Sequence, residues 1–106
     1  MAGLLVLGPG ADWVVSGGLF DWVLEFLRAR ISAPEAKAHL REIVDNNLGS
    51  FWLAELSPAA RDEAMELLRH ELVEAGRQEL PDGDGKADVI RRLQELADLA
   101  GSSRRC

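Results

Sequence analysis

A single cysteine, the final residue Cys106, is all the thiol chemistry in this chain of 106 residues. It has no partner for an internal disulfide, so a disulfide-built secreted scaffold is excluded and a reducing compartment fits. On the terminal segment GSSRRC nothing holds that thiol beside a base, which makes it a poor nucleophile. Tyrosine is absent, and histidine occurs only as His39 and His70. No Lys or Arg precedes Arg28. A secretory leader opens with positive charge, so the first residues do not read as one. Long apolar runs are missing too: GPG, Asp12, SGG and Asp21 interrupt the start of the chain, and no membrane span is expected.

Positive charge is scarce throughout. Twelve basic residues stand against 18 acidic ones, for a net charge of −6, and Arg104 and Arg105 lie in the last three positions. Nucleic-acid binding draws its affinity from Lys and Arg, and no basic stripe exists here, so no nucleic acid is expected as a partner. Only two of the twelve are Lys; with abundant Ala and Leu, that bias suggests a GC-rich bacterial genome. The expected location is cytoplasmic.

Motifs that carry chemistry are also lacking. There is no Gly-x-Ser-x-Gly elbow, Cys-x-x-Cys pair, His-Glu-x-x-His or phosphate loop. Ser16, Ser32, Ser50 and Ser57 sit where turns or helix caps belong. No enzyme activity and no cofactor are expected. His39 stands near Glu35 and Glu42, and His70 near Glu66 and Glu74, at spacings that place a carboxylate one turn from a histidine. The helical wheel turns His70 away from its apolar stripe, and metal sites in bundles project inward instead. Exposed charge pairs are the better reading.

What is present is a helical pattern. Apolar residues make up 47% of the chain, enough for one compact domain without staples. GLLVL, the turn GPG and ADWVVS predict a hairpin over 3–16. Leu19 to Ile31 carries apolar residues around more than half its circumference, which predicts a central helix. Ser32-Ala33-Pro34-Glu35 restarts a helix over 34–47, with Ser32 as its cap and Ala36, Leu40, Ile43, Val44 and Leu48 on one face. SFWLAEL (50–56) reads as a connector whose Phe51 and Trp52 plug the bundle. Ser57-Pro58 opens a helix over 58–78, with Gly76 near its end, and Lys86 to Ala100 forms another that Gly101 stops. The fold class is mainly α: a four-helix single domain over 1–101, with a short N-terminal β-hairpin packed on the helices and a disordered tail over 102–106.

Two stretches are candidate sites. PDGDGKAD (81–88) places Asp82, Asp84 and Asp88 among glycines, a spacing similar to the calcium-binding segment of FG-GAP propeller repeats. The likeness covers eight residues and no repeat exists, so a propeller is excluded. An EF-hand loop from Asp82 would need Gly and Glu where Ala87 and Leu93 stand. The simpler reading is a turn in which Asp84 caps the following helix. The second stretch is the hairpin. Side chains alternate on a strand, so both of its faces carry apolar groups, and only one can pack on the helices. Leu5, Val6, Leu7, Trp13, Val14, Val15 and Trp22 are therefore candidate interface residues. They would serve a protein partner or a homo-oligomer, unless SFWLAEL folds over and covers them. The functional expectation is a small acidic protein–protein interaction module, of the bacterial inhibitor or immunity type. The alternative is a calcium- or small-ligand-binding regulator built on Asp82–Asp88.

Overall fold

The computed structural model describes residues 2–8, 10–80, 83 and 85–103. Two strands, β1 (Ala2–Gly8) and β2 (Ala11–Ser16), form the expected antiparallel hairpin. Gly10, at φ +75°, takes the left-handed conformation that the turn requires, and the pairing register shifts between Val6 and Gly8. β2 alternates strictly: Ala11, Trp13 and Val15 are buried, while Asp12, Val14 and Ser16 are exposed.

Helix α1 (Gly17–Arg30) follows without a loop. Ser16 caps it, its hydroxyl accepting the Leu19 N–H at 3.3 Å. Phe20, Val23, Leu24, Phe26 and Leu27 are all buried, as a central helix demands. Helix α2 (Pro34–Asp45) starts where expected and ends two residues early, but its cap is not Ser32. Pro34 occupies the first turn, so Ala33 becomes the cap residue and makes no side-chain bond. Ser32 is used differently: its N–H and its hydroxyl both donate to Glu63, at 3.0 Å each.

The connector is the main correction. Ser50–Trp52 forms β3, a third strand lying parallel to β1, so the sheet is mixed and runs β2-β1-β3. Asn47 (φ 53°) and Gly49 (φ 77°) reverse the chain between α2 and β3, and the Leu4 N–H donates to the Gly49 carbonyl at 2.9 Å. A short 3-10 turn, Leu53–Glu55, follows. Leu48 lies beyond α2 and is exposed rather than part of its buried stripe.

The helix expected over 58–78 is two: α3 (Pro58–His70) and α4 (Leu72–Glu79), divided at Glu71 with φ −119°. Ser57 caps α3 as its sequence implies, accepting the Ala60 N–H. No proline or glycine marks the break. Gly76 does not end the helix; it lies within α4, flush against Leu93, where a Cβ would collide. Helix α5 (Lys86–Ser103) runs past Gly101, since one glycine costs a helix only about 1 kcal/mol. The described residues thus form a mainly α globule of five α-helices and a three-stranded mixed sheet. No described helix is long and apolar enough to cross a membrane.

Alternation places Leu5 of β1 beside Trp13 of β2 and Phe51 of β3, and all three are buried. This row faces α1 and α5. The Trp13 indole N–H donates to the Arg92 carbonyl of α5 at 3.0 Å. Phe20 of α1 fits under Gly3, where any Cβ would overlap its ring. We therefore expect Gly3→Ala to destabilise the protein by about 1–3 kcal/mol, the usual cost of overpacking. Urea unfolding measures it, and an unchanged midpoint would mean that α1 does not press on the sheet at this point.

Candidate functional site

The other face of the sheet carries Leu4 and Val6 from β1, Asp12, Val14 and Ser16 from β2, and Ser50 and Trp52 from β3. The pairings fix this grouping: Leu4 lies between Val14 and Ser50, and Val6 between Asp12 and Trp52. Val14 is 56% exposed and Trp52 49% exposed. Val6 is buried yet stands outside the main core cluster. It lies instead in the wall of a depression of about 450 Å3, shared with Leu4, Gly8, Asp12, Trp52 and Ala54. A large aromatic side chain left half in water beside an apolar hollow makes a contiguous apolar patch of the kind that marks interaction sites.

Trp52 is held from behind. The Glu55 carboxylate accepts the Trp52 backbone N–H at 3.4 Å and lies 3.2 Å from Nε2 of His39 on α2. The His39 ring also meets Phe51, with centroids 5.8 Å apart. Phe51 anchors β3 in the core, and the next residue must then point outward. No Lys or Arg lines the depression, and Asp12 is its one charged residue. Any charge facing a partner here is negative.

The seven interface residues expected from sequence divide between two surroundings. Leu5, Leu7, Trp13 and Val15 belong to the core. Trp22 is partly buried and stacks on Phe26, with centroids 6.0 Å apart. Val6 and Val14 face outward from the sheet, and Leu7, though buried, also lines the depression. The connector pairs beside β1 and adds Trp52 to the outer face; with Trp52 and Ala54 beside it Val6 is buried, while Val14 stays exposed. Leu4, Trp52 and Ala54 were not anticipated. The alternation Ser50-Phe51-Trp52 was the available signal, though three residues are too few to set a period.

The aspartate loop offers less. Asp82 and Asp84 lie outside the described residues. Asp88 is exposed, and its carboxylate accepts from Arg91 at 2.7 Å. Among the described residues no three His, Cys, Asp or Glu side chains gather as a metal site. His70 pairs with Glu66 at 3.0 Å on the surface of α3, and His39 turns to Glu55 rather than to Glu35 or Glu42.

A larger cleft, of about 790 Å3, separates α1 and α2. Arg28, Lys37 and Arg41 line it against Glu25, Glu42 and Asp45, so its charges balance. Arg28 is closed on Glu25 at 2.6 Å, and that hydrogen bond and charge hold its guanidinium above the ordinary arginine range. Arg41 is closed on Asp45. Charges already neutralised by neighbours on their own helix attract a ligand weakly.

Among known proteins, no family model, curated protein or solved structure matches this chain. The reading of its function therefore rests on its own geometry. For that geometry, Trp52→Phe should leave stability within about 0.5 kcal/mol, as exposed positions do. It should also remove the most readily acrylamide-quenched part of the tryptophan fluorescence. A loss of several kcal/mol would place Trp52 in the core instead.

Proposed function

We propose that this chain is a small acidic protein-binding module, and that its recognition surface is the outer face of the sheet. It acts by binding rather than by catalysis. One observation carries the reading: Val14 and Trp52 are large apolar side chains left about half exposed on this face, beside an apolar depression walled by Leu4, Val6 and Ala54. Interfaces concentrate their energy in a few aromatic and aliphatic anchors, with tryptophan foremost. Trp52 has that character, since it is exposed while its backbone is held in place.

The partner we infer is a basic protein that offers an apolar side chain to the depression. The net charge of −6 draws positively charged surfaces from a distance and repels nucleic acids and anionic lipid. A role of the inhibitor or immunity type, in which a small acidic protein masks the basic working surface of another, suits the size and the charge. No observation favours the calcium-binding alternative over this one.

The test is recovery of the partner from the source cells with tagged wild type, Trp52→Ala and, as a control on the far side of the fold, Arg91→Ala. The expected result is one basic protein, held stoichiometrically by wild type and Arg91→Ala. Trp52→Ala should bind it at least ~10-fold more weakly with its fold intact, the effect of losing a hot-spot residue. Affinity should fall as salt rises. A partner bound equally by all three proteins would place the recognition surface elsewhere, and an acidic partner would overturn the electrostatic argument.

A further inference from the structure

The sheet has a second unsatisfied feature, its free edge. The Leu4 N–H bonds to Gly49, so the Leu4 backbone points toward β3. Along a strand successive backbone groups point to opposite sides. Leu4 therefore makes no backbone bond with Val14, the residue across from it on β2. The Val14 N–H and C=O point away from β1, as do those of Asp12. No described backbone bond from another element reaches either residue, and Asp12, Val14 and Ser16 are all exposed. α5 reaches β2 from the inner side, through the Trp13 indole. Among the described residues no strand pairs with this edge.

Edges of this kind are normally blunted by lysine, by proline or by a bulge in the middle of the strand. β2 has neither lysine nor proline, and the register shift lies at the hairpin end, in β1. We propose that a second copy of this chain pairs with this edge: β2 adds antiparallel to β2 of its mate, with Val14 opposite Val14 on the two-fold axis. Two observations choose this occupant and this register. Outward backbone groups must meet outward groups, and centring on Val14 makes the two Val14 residues a hydrogen-bonded pair. That register sets Asp12 opposite Ser16 of the mate, so the only charge on the edge never meets itself. The Ser16 hydroxyl accepts from Leu19, and its own hydrogen is free to donate to that carboxylate.

The result is a continuous six-stranded sheet whose two apolar faces lie side by side, with a Trp52 at each far edge. Pairing by one short strand buries little area, and both copies carry a charge of −6, so the dimer is weak and tightens as salt screens the repulsion. This dependence is opposite in sign to that of the proposed basic partner, and the two ideas fail separately.

Sedimentation equilibrium up to millimolar concentration is the test. We expect the average mass of the wild type to climb from 11.6 kDa toward twice that value, with association several-fold stronger at about 0.5 M than at about 0.05 M salt. Val14→Pro removes only the outward N–H, a change that edge strands accept, and should leave a folded monomer. If that variant fails to fold, Val14→Asp should abolish the dimer where Val14→Thr keeps it. Trp52→Ala should dimerise as the wild type does. A wild type monomeric throughout, a folded Val14→Pro that still dimerises, Val14→Asp and Val14→Thr that dimerise alike, or a Trp52→Ala that does not dimerise would each overturn the edge pairing. The last would point to association face to face.

Discussion

The structure depends on β1 being bonded on both sides. Its neighbours come from distant parts of the chain: β2 follows at once, whereas β3 begins at Ser50, after two helices. Leu5 is the junction. It is completely buried, with Trp13 on one side and Phe51 on the other. This apolar row is the floor on which α1 and α5 rest. Without β3 the hairpin would be a two-stranded ribbon, which is marginal in water. Without the row, neither the capping of α1 by Ser16 nor the contact between Phe20 and Gly3 would have a surface to work against.

Burial does most of the stabilising. No described polar or charged residue is classed as buried. The ion pairs, such as Arg91 with Asp88 and Arg41 with Asp45, are largely exposed, and pairs of that kind contribute little each. The protein is therefore an apolar core with a charged shell, and the shell is interrupted on the outer sheet face. Pleating imposes that interruption. Once Phe51, Leu5 and Trp13 point inward, Trp52, Leu4 or Val6, and Val14 must point outward. One row of the core thus generates the candidate site on the opposite side of the same three strands.

The helices were legible because each spans several turns and repeats its apolar residues at a helical period. Ser57-Pro58 marked the start of α3 correctly for the same physical reasons that operate in the structure, a hydroxyl cap and a preset first turn. β3 was not legible. Three residues carry almost no periodic signal, and the partner that makes them a strand is more than forty residues away. The break at Glu71 was hidden too, since no proline or glycine stands at it. For the candidate site, alternation pointed to the hairpin, and Val6 and Val14 do face outward. It could not say which face the helices would take. That choice is made by Phe20, Trp13 and Phe51 together, so Leu5, Leu7, Trp13 and Val15 were indistinguishable from true surface residues in the sequence.

Amide hydrogen exchange on dilute, monomeric protein tests the central arrangement directly. The account predicts slow exchange at Leu4, whose N–H is bonded to Gly49, and at Trp13 and Val15, whose N–H groups face β1. It predicts fast exchange at Asp12 and Val14, whose N–H groups face outward. Fast exchange at Leu4 would mean that β3 does not pair with β1. Protection at Val14 equal to that at Trp13 would mean that the edge of β2 is covered within a single chain. Either result would contradict the account.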